Sequence, residues 1–205
     1  MINLNECATI AIAVQTALDA IADDEKSDAW NTQTNDVKAF KVAIMDHGIE
    51  VQNTRCVWCT LEVAEEGHRT AHRDHIAPKG KHGRWTFEPL NLAISCEYCN
   101  GFKVKGEVET VVTVAANYAD VEFLIVHPYL DNTAEHIRFV DNGAGYPIVI
   151  EGLSPRGIWT IDTMKLASPH LTKLRAMDHI FAKETAALPA EDQDLFKRAV
   201  GRVAP

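Results

Sequence analysis

Cys56-Val57-Trp58-Cys59 and Cys96-Glu97-Tyr98-Cys99 form two cysteine pairs separated by 36 residues. A Cys-x-x-Cys turn presents both sulfurs on one side, and two such turns supply the four thiolates of a tetrahedral structural zinc site. Buried free thiols and a redox pair are the alternatives, and two pairs in a chain read as intracellular favour zinc over both. The insert is longer than that of an ordinary zinc ribbon, so it carries something further. Cys7 stands apart and is read as a small buried helix residue.

Between the pairs lie His72-Arg73-Asp74-His75-Ile76-Ala77-Pro78-Lys79 and Phe87-Glu88-Pro89-Leu90-Asn91-Leu92, followed by Ser95-Cys96-Glu97-Tyr98-Cys99-Asn100-Gly101-Phe102-Lys103. If residues 72–76 are extended, His72 and Asp74 share one face and His75 points to the other. Adjacent side chains can then serve different partners: the Asp74 carboxylate a hard cation, the His75 imidazole a water. After Cys96 a short helix is expected to end near Gly106, with Asn100 and Lys103 on one of its faces.

This order of elements, Cys-x-x-Cys, Asp-His-Ile-x-Pro-Lys, Asn-Leu and Ser-Cys-x-x-Cys-Asn-x-x-Lys, resembles the HNH endonucleases, whose ββα-metal finger cleaves DNA with one divalent cation. The similarity covers about residues 56–105, a quarter of the chain. It implies His75 as the general base, Asn91 as the brace of the loop that holds it, and Asp74 and Asn100 as protein ligands of the catalytic cation. Many members have His where Asn100 stands; an amide oxygen favours hard cations, Mg²⁺ or Mn²⁺. The residue chemistry agrees, since phosphodiester hydrolysis needs a base for water and positive charge on the phosphoryl oxygens. Lys79, Lys81, Arg84, Lys103 and Lys105 are candidates for the phosphate backbone, and Lys103 joins the catalytic set because it is expected beside Asn100. His72 either assists Asp74 or simply occupies a strand. His68, His82, His127, His136, His170 and His179 are read as surface or core residues, and Trp58 and Trp85 as packing.

Further on, Ile125-Val126-His127-Pro128-Tyr129-Leu130-Asp131-Asn132, His136-Ile137-Arg138-Phe139, Thr160-Ile161 and Leu174-Arg175 are similar to the C-terminal half of HNH proteins from bacterial anti-phage systems. They resemble the Septu type, in which the nuclease works with an ABC-type ATPase. That resemblance implies a defence effector with a protein partner.

Several elements must position these groups. Ile10, Val14, Leu18 and Ile21 recur at helical spacing and predict a helix over residues 7–22. Val37, Phe40, Ile44 and Met45 predict a second, with Asn35 as cap and Gly48 as stop. Residues 121–126, 136–140, 146–150 and 157–161 read as short strands or extended pieces, with a turn at Asp141-Asn142-Gly143. Ser168 caps a helix that starts at Pro169, with Leu171, Leu174, Ile180 and Phe181 as its buried stripe, and a last helix covers about 189–200. The expected fold is α+β: a helical segment over 1–50, a zinc-stapled ββα-metal finger over 51–106, and an α+β extension over 107–205 that packs on the finger or on a partner.

Composition bounds the reading. With 205 residues, 46% apolar and 24% charged, the chain matches soluble globular proteins, and no apolar run is long enough for a membrane span. The first apolar stretch is flanked by Glu6 and lacks the Lys or Arg of a signal peptide, so a cytoplasmic location is expected. Net charge is −9, divided as −6 over residues 1–54, +2 over 55–105 and −5 over 106–205. Acidic flanks oppose a polyanion, so a partner with a basic surface is expected to cover them and supply DNA affinity. The resulting expectation is a metal-dependent endonuclease acting on DNA. Its rival is a zinc module that binds nucleic acid or protein without cutting, which would need none of Asp74, His75, Asn91 and Asn100.

Overall fold

The computed structural model describes residues 1–64, 70–141 and 147–200, with side chains described as far as Leu195. His68 and the expected turn and strand start at residues 142–146 lie outside them. The first helix, α1 (Ile12–Asp19), is shorter than the predicted 7–22. Before it, Ile2 N–H donates to the Val57 carbonyl and Leu4 N–H to the Pro128 carbonyl, with Leu4 and Ala8 buried. After the one-turn α2 (Lys26–Ala29) comes α3 (Asn35–Val51), which buries Val37, Phe40, Ile44 and Met45 as expected. Its cap is Thr34, not Asn35, because the Thr34 hydroxyl accepts from Val37 N–H.

Strand β1 (Ala71–His75) pairs antiparallel with β2 (Leu92–Cys96), Asp74 opposite Ala93 and His75 opposite Leu92. Gly48 does not stop α3 but lies within it, where a Cβ would fall 2.4 Å from Ile94 Cγ1. The missing side chain therefore sets how closely α3 approaches β2. The short α4 (Glu97–Asn100) follows β2 directly. It ends sooner than predicted, since Gly101 turns extended with ψ 155°. Lys103 consequently does not share a helix face with Asn100.

Two more antiparallel pairs follow, β3 (Val111–Thr113) with β4 (Glu122–Phe123), and β5 (Ile137–Asp141) with β6 (Pro147–Gly152). Residues 157–161 are helical, not extended, within α5 (Pro155–Thr163). Ser154 caps that helix by accepting from Gly157 N–H, with Pro155 at its first position, the same signature that correctly marks Ser168 and Pro169. Gly157 packs so closely on the His136 carbonyl that a Cβ would overlap it. The chain continues as α6 (Pro169–Ala187) and α7 (Ala190–Val200). Leu171 is buried and Leu174 half-buried, but Ile180 and Phe181 are exposed, so the expected stripe covers only the first half of α6.

The result is a mixed α+β protein in which one apolar core runs from Leu4 to Leu171. Among the described residues no helix is long and apolar enough to cross a membrane.

Candidate active site and metal centre

Cys56 and Cys59 lie on the turns after α3, Cys96 ends β2 and Cys99 belongs to α4. All four are buried, and their sulfurs lie within 4.8 Å of one another. Cys59 Sγ and Cys96 Sγ are 3.8 Å apart. Zinc–sulfur bonds of about 2.3 Å in a tetrahedron separate sulfurs by roughly 3.8 Å, so four thiolates at this spacing fit zinc. Burial raises the Cys56 thiol, and hydrogen bonding to Cys56 raises Cys99, whereas bonds from Cys56 lower Cys59 and Cys96. Arg175 of α6 is buried nearby with its Nη1 unpartnered by hydrogen bonds. Burial lowers its pKa, and the charges of Cys59 and Cys99 oppose that shift. A guanidinium is thus available to offset the charge of a tetrathiolate.

Trp58, between the first two cysteines, donates its indole N–H to Asp74 Oδ2 at 2.7 Å. The other carboxylate oxygen, Oδ1, accepts from the Lys105 ammonium at 2.8 Å, and Lys105 also donates to the His75 carbonyl. Asp74, His75, Asn100, Lys79, Lys105 and Trp30 are among the residues lining one pocket of about 220 Å³. Asn100 Nδ2 donates to His72 Nδ1 at 3.4 Å, a bond in which the amide oxygen takes no part. His72 is therefore a neighbour of the Asn100 amide and does not contact Asp74 through any such bond.

Next to Asp74 at the end of β1, His75 lines the same pocket but bonds a different partner. Its Nε2 donates to the Thr86 carbonyl at 3.0 Å, since a carbonyl can only accept, and this leaves Nδ1 with a lone pair. The Trp30 ring packs edge-on, centroids 4.5 Å apart. Burial lowers the imidazole pKa to about 3, with the Thr86 bond opposing and Lys105, Lys79 and Lys41 adding to the shift. His75 is therefore neutral at physiological pH.

Asn91 is fully buried behind this loop. Its Oδ1 accepts from Ala77 N–H at 2.7 Å, and its Nδ2 donates to the carbonyls of Ala77 and Trp85. It thereby clamps both sides of the loop from His75 to Thr86. The Tyr118 hydroxyl also donates to Asn91 Oδ1, at 2.8 Å, and that hydroxyl contacts His127 Nε2 at 3.1 Å. His127 Nδ1 accepts from Tyr129 and Leu130 N–H, so the proton sits on Nε2 and donates to Tyr118. The segment after β4 thus supports the loop through a chain of buried hydrogen bonds.

This chain has a pH consequence. Burial, with Arg156 adding, lowers His127 from 6.5 to about 3. Between those values the unfolded chain binds a proton that the folded chain refuses, because protonated Nδ1 would face two backbone donors. The contribution is complete above pH 6.5 and lost as pH falls towards 3, at up to about 1.4 kcal/mol per unit. Urea denaturation between pH 7.5 and 5.5 should show stability falling with acid, and His127→Gln should flatten the slope. An unchanged slope in the variant would contradict this account.

Lys103 is exposed and lies outside the pocket, its carbonyl accepting from Lys165. Arg84 is spent on packing: it donates to the Ala115 and Ala116 carbonyls and covers the Trp85 ring. Sequence reasoning named Lys105 only as a candidate for the phosphate backbone, whereas it is ion-paired to Asp74 in the pocket, and it missed Tyr118 and His127 as supports of Asn91.

No family model matches the chain. A Septu protein PtuB from Bacillus thuringiensis is 24% identical over 118 residues, which cover 58% of this chain and 38% of that protein. The similarity therefore spans well under half of the relative's length and stands beside the four-cysteine cluster as a distant likeness.

Proposed function

We propose that the chain is an HNH-type, metal-dependent endonuclease that hydrolyses DNA phosphodiester bonds, the cutting component of an anti-phage system. The observation that carries this is a neutral His75 whose Nδ1 lone pair is left free by the Thr86 bond, in the wall of a pocket shared with Asp74, Asn100 and two lysines. In this reading β1, β2 and α4 are the ββα-metal finger, and the finger is stapled by zinc on Cys56, Cys59, Cys96 and Cys99. Asp74 and Asn100 offer hard oxygen donors, and the Lys105 ammonium at Asp74 is a stand-in that marks the position as one that accepts a cation. A divalent ion held there would neutralise charge on the phosphoryl and leaving oxygens.

His75 Nδ1 takes the proton of the attacking water, while Thr86 and the Asn91 clamp keep the ring from turning away. Lys79 in the pocket and Lys103 on the exposed surface take backbone phosphates without reading sequence. The likeness to a Septu protein supports the defence role, and the resemblance of the C-terminal motifs to Septu-type HNH proteins implies a protein partner, an ABC-type ATPase. The acidic flanks point the same way, since they oppose DNA unless covered.

The test is incubation of the purified chain, alone and with its genomic neighbours' products, with supercoiled plasmid in Mg²⁺ or Mn²⁺. Nicked or linear product is expected. DNA binding without cleavage under all these conditions would overturn the reading in favour of a binding module.

A further inference from the structure

Lys105 is only 2% exposed at its side chain, and Asp74 only 1%. Removing two charges from water is costly, and their attraction repays it only with close geometry and further hydrogen bonds. Both are present: the ammonium bonds Asp74 Oδ1 at 2.8 Å and the His75 carbonyl as well. Trp58 already holds Asp74 Oδ2 at 2.7 Å, so Oδ1 is the oxygen left for a cation, and the lysine has it. These acceptors, a carboxylate oxygen and a backbone carbonyl, are also what Mg²⁺ or Mn²⁺ takes.

We propose that Lys105 is the resident cation of this site and competes with the divalent metal, so that the pocket is closed to metal until the lysine withdraws. The proposal rests on the reading of Asp74 as a metal ligand given above. An ammonium and a divalent ion on one carboxylate oxygen repel each other at a separation where a buried site screens little. The two states therefore exclude each other. The lysine's surroundings permit the exchange. Lys105 lies on a series of turns between the end of α4 and β3, with Gly106 at φ +44° immediately after it and Phe102 and Lys103 exposed before it. A flexible four-carbon stem can carry the ammonium from Asp74 to the pocket mouth without unfolding β1 or β2. Lys105, not Lys103, then decides when the nuclease is armed, and a phosphate backbone in the pocket favours the armed state by offering the displaced ammonium an anion.

The experiment measures Mn²⁺ binding to the intact, zinc-loaded chain by calorimetry or electron paramagnetic resonance. Lys105→Met is expected to bind Mn²⁺ at least tenfold tighter than the parent, Lys105→Arg to stay weak, and Asp74→Asn to abolish the gain. Equal affinity in the parent and Lys105→Met overturns the proposal. Because Lys105→Met leaves a buried carboxylate unpaired and can fail to fold, a second measurement uses the parent chain. An amine-acetylating reagent should label Lys105 several-fold faster in saturating Mn²⁺ than without it, and labelling unchanged by metal overturns the proposal equally. Absence of cleavage in every condition, with Lys105→Met still gaining Mn²⁺ affinity, would sink the nuclease reading and leave the competition standing. Cleavage by the parent with no change in affinity or labelling does the reverse.

Discussion

Cys99→Ser, or treatment of the protein with a strong chelator, is expected to unfold the central unit, and elemental analysis of protein purified without chelator should find one zinc per chain. Four buried sulfurs within 4.8 Å leave little room for any other arrangement that satisfies them. Structural zinc contributes folding free energy directly, on the order of 10 kcal/mol in small fingers, comparable to the whole stability of a typical domain. The loss should reach the pocket as well. Trp58, which holds Asp74, sits between Cys56 and Cys59, and Asn100 directly follows Cys99. Releasing the metal frees both ends of that arrangement together. Thermal melting with and without chelator checks this: a transition unmoved by chelation, or protein free of zinc, contradicts it.

The parts legible in the sequence were those set by short-range chemistry. Two Cys-x-x-Cys turns define a ligand set whatever the intervening loop does, and the alternation of His72, Asp74 and His75 follows from extended backbone alone. The α3 stripe of Val37, Phe40, Ile44 and Met45 was equally clear, because each faces the core at helical spacing. What failed depended on contacts between distant segments. The helix expected over residues 7–22 forms only over Ile12–Asp19, and the bonds that tie Ile2 to Val57 and Leu4 to Pro128 ahead of it have no local pattern to announce them. Gly48 looks like a stop until Ile94 is seen against it. Lys103 satisfied the spacing argument, yet the helix ended at Asn100 and Lys105 reached the site instead. Tyr118 and His127 lie 27 and 36 positions beyond Asn91, and their role exists only once the chain has folded back on the loop.

His75→Ala is expected to reduce DNA cleavage by about 10²–10⁴-fold while leaving zinc content and DNA affinity nearly unchanged. The base acts as the water loses its proton, so its removal raises the barrier without touching contacts made in the ground state, and the loss should appear in kcat and not in KM. One complication is structural. The ring fills space beside Trp30 and its Nε2 satisfies the Thr86 carbonyl, so truncation also leaves a buried acceptor unpaired, at about 1–3 kcal/mol of stability. His75→Gln separates the two effects, because the amide can still donate to Thr86 but cannot take a proton from water near neutral pH. Equal loss of cleavage in both variants, with His75→Gln melting closer to the parent, assigns the defect to chemistry. Asn91→Ala should give a partial loss, since Asn91 acts through the loop and touches no reacting atom. Its Ala77 and Trp85 bonds are what keep Thr86 opposite the ring. Parental cleavage by His75→Gln would remove His75 from the role of base, and with it the main support for hydrolysis at this pocket.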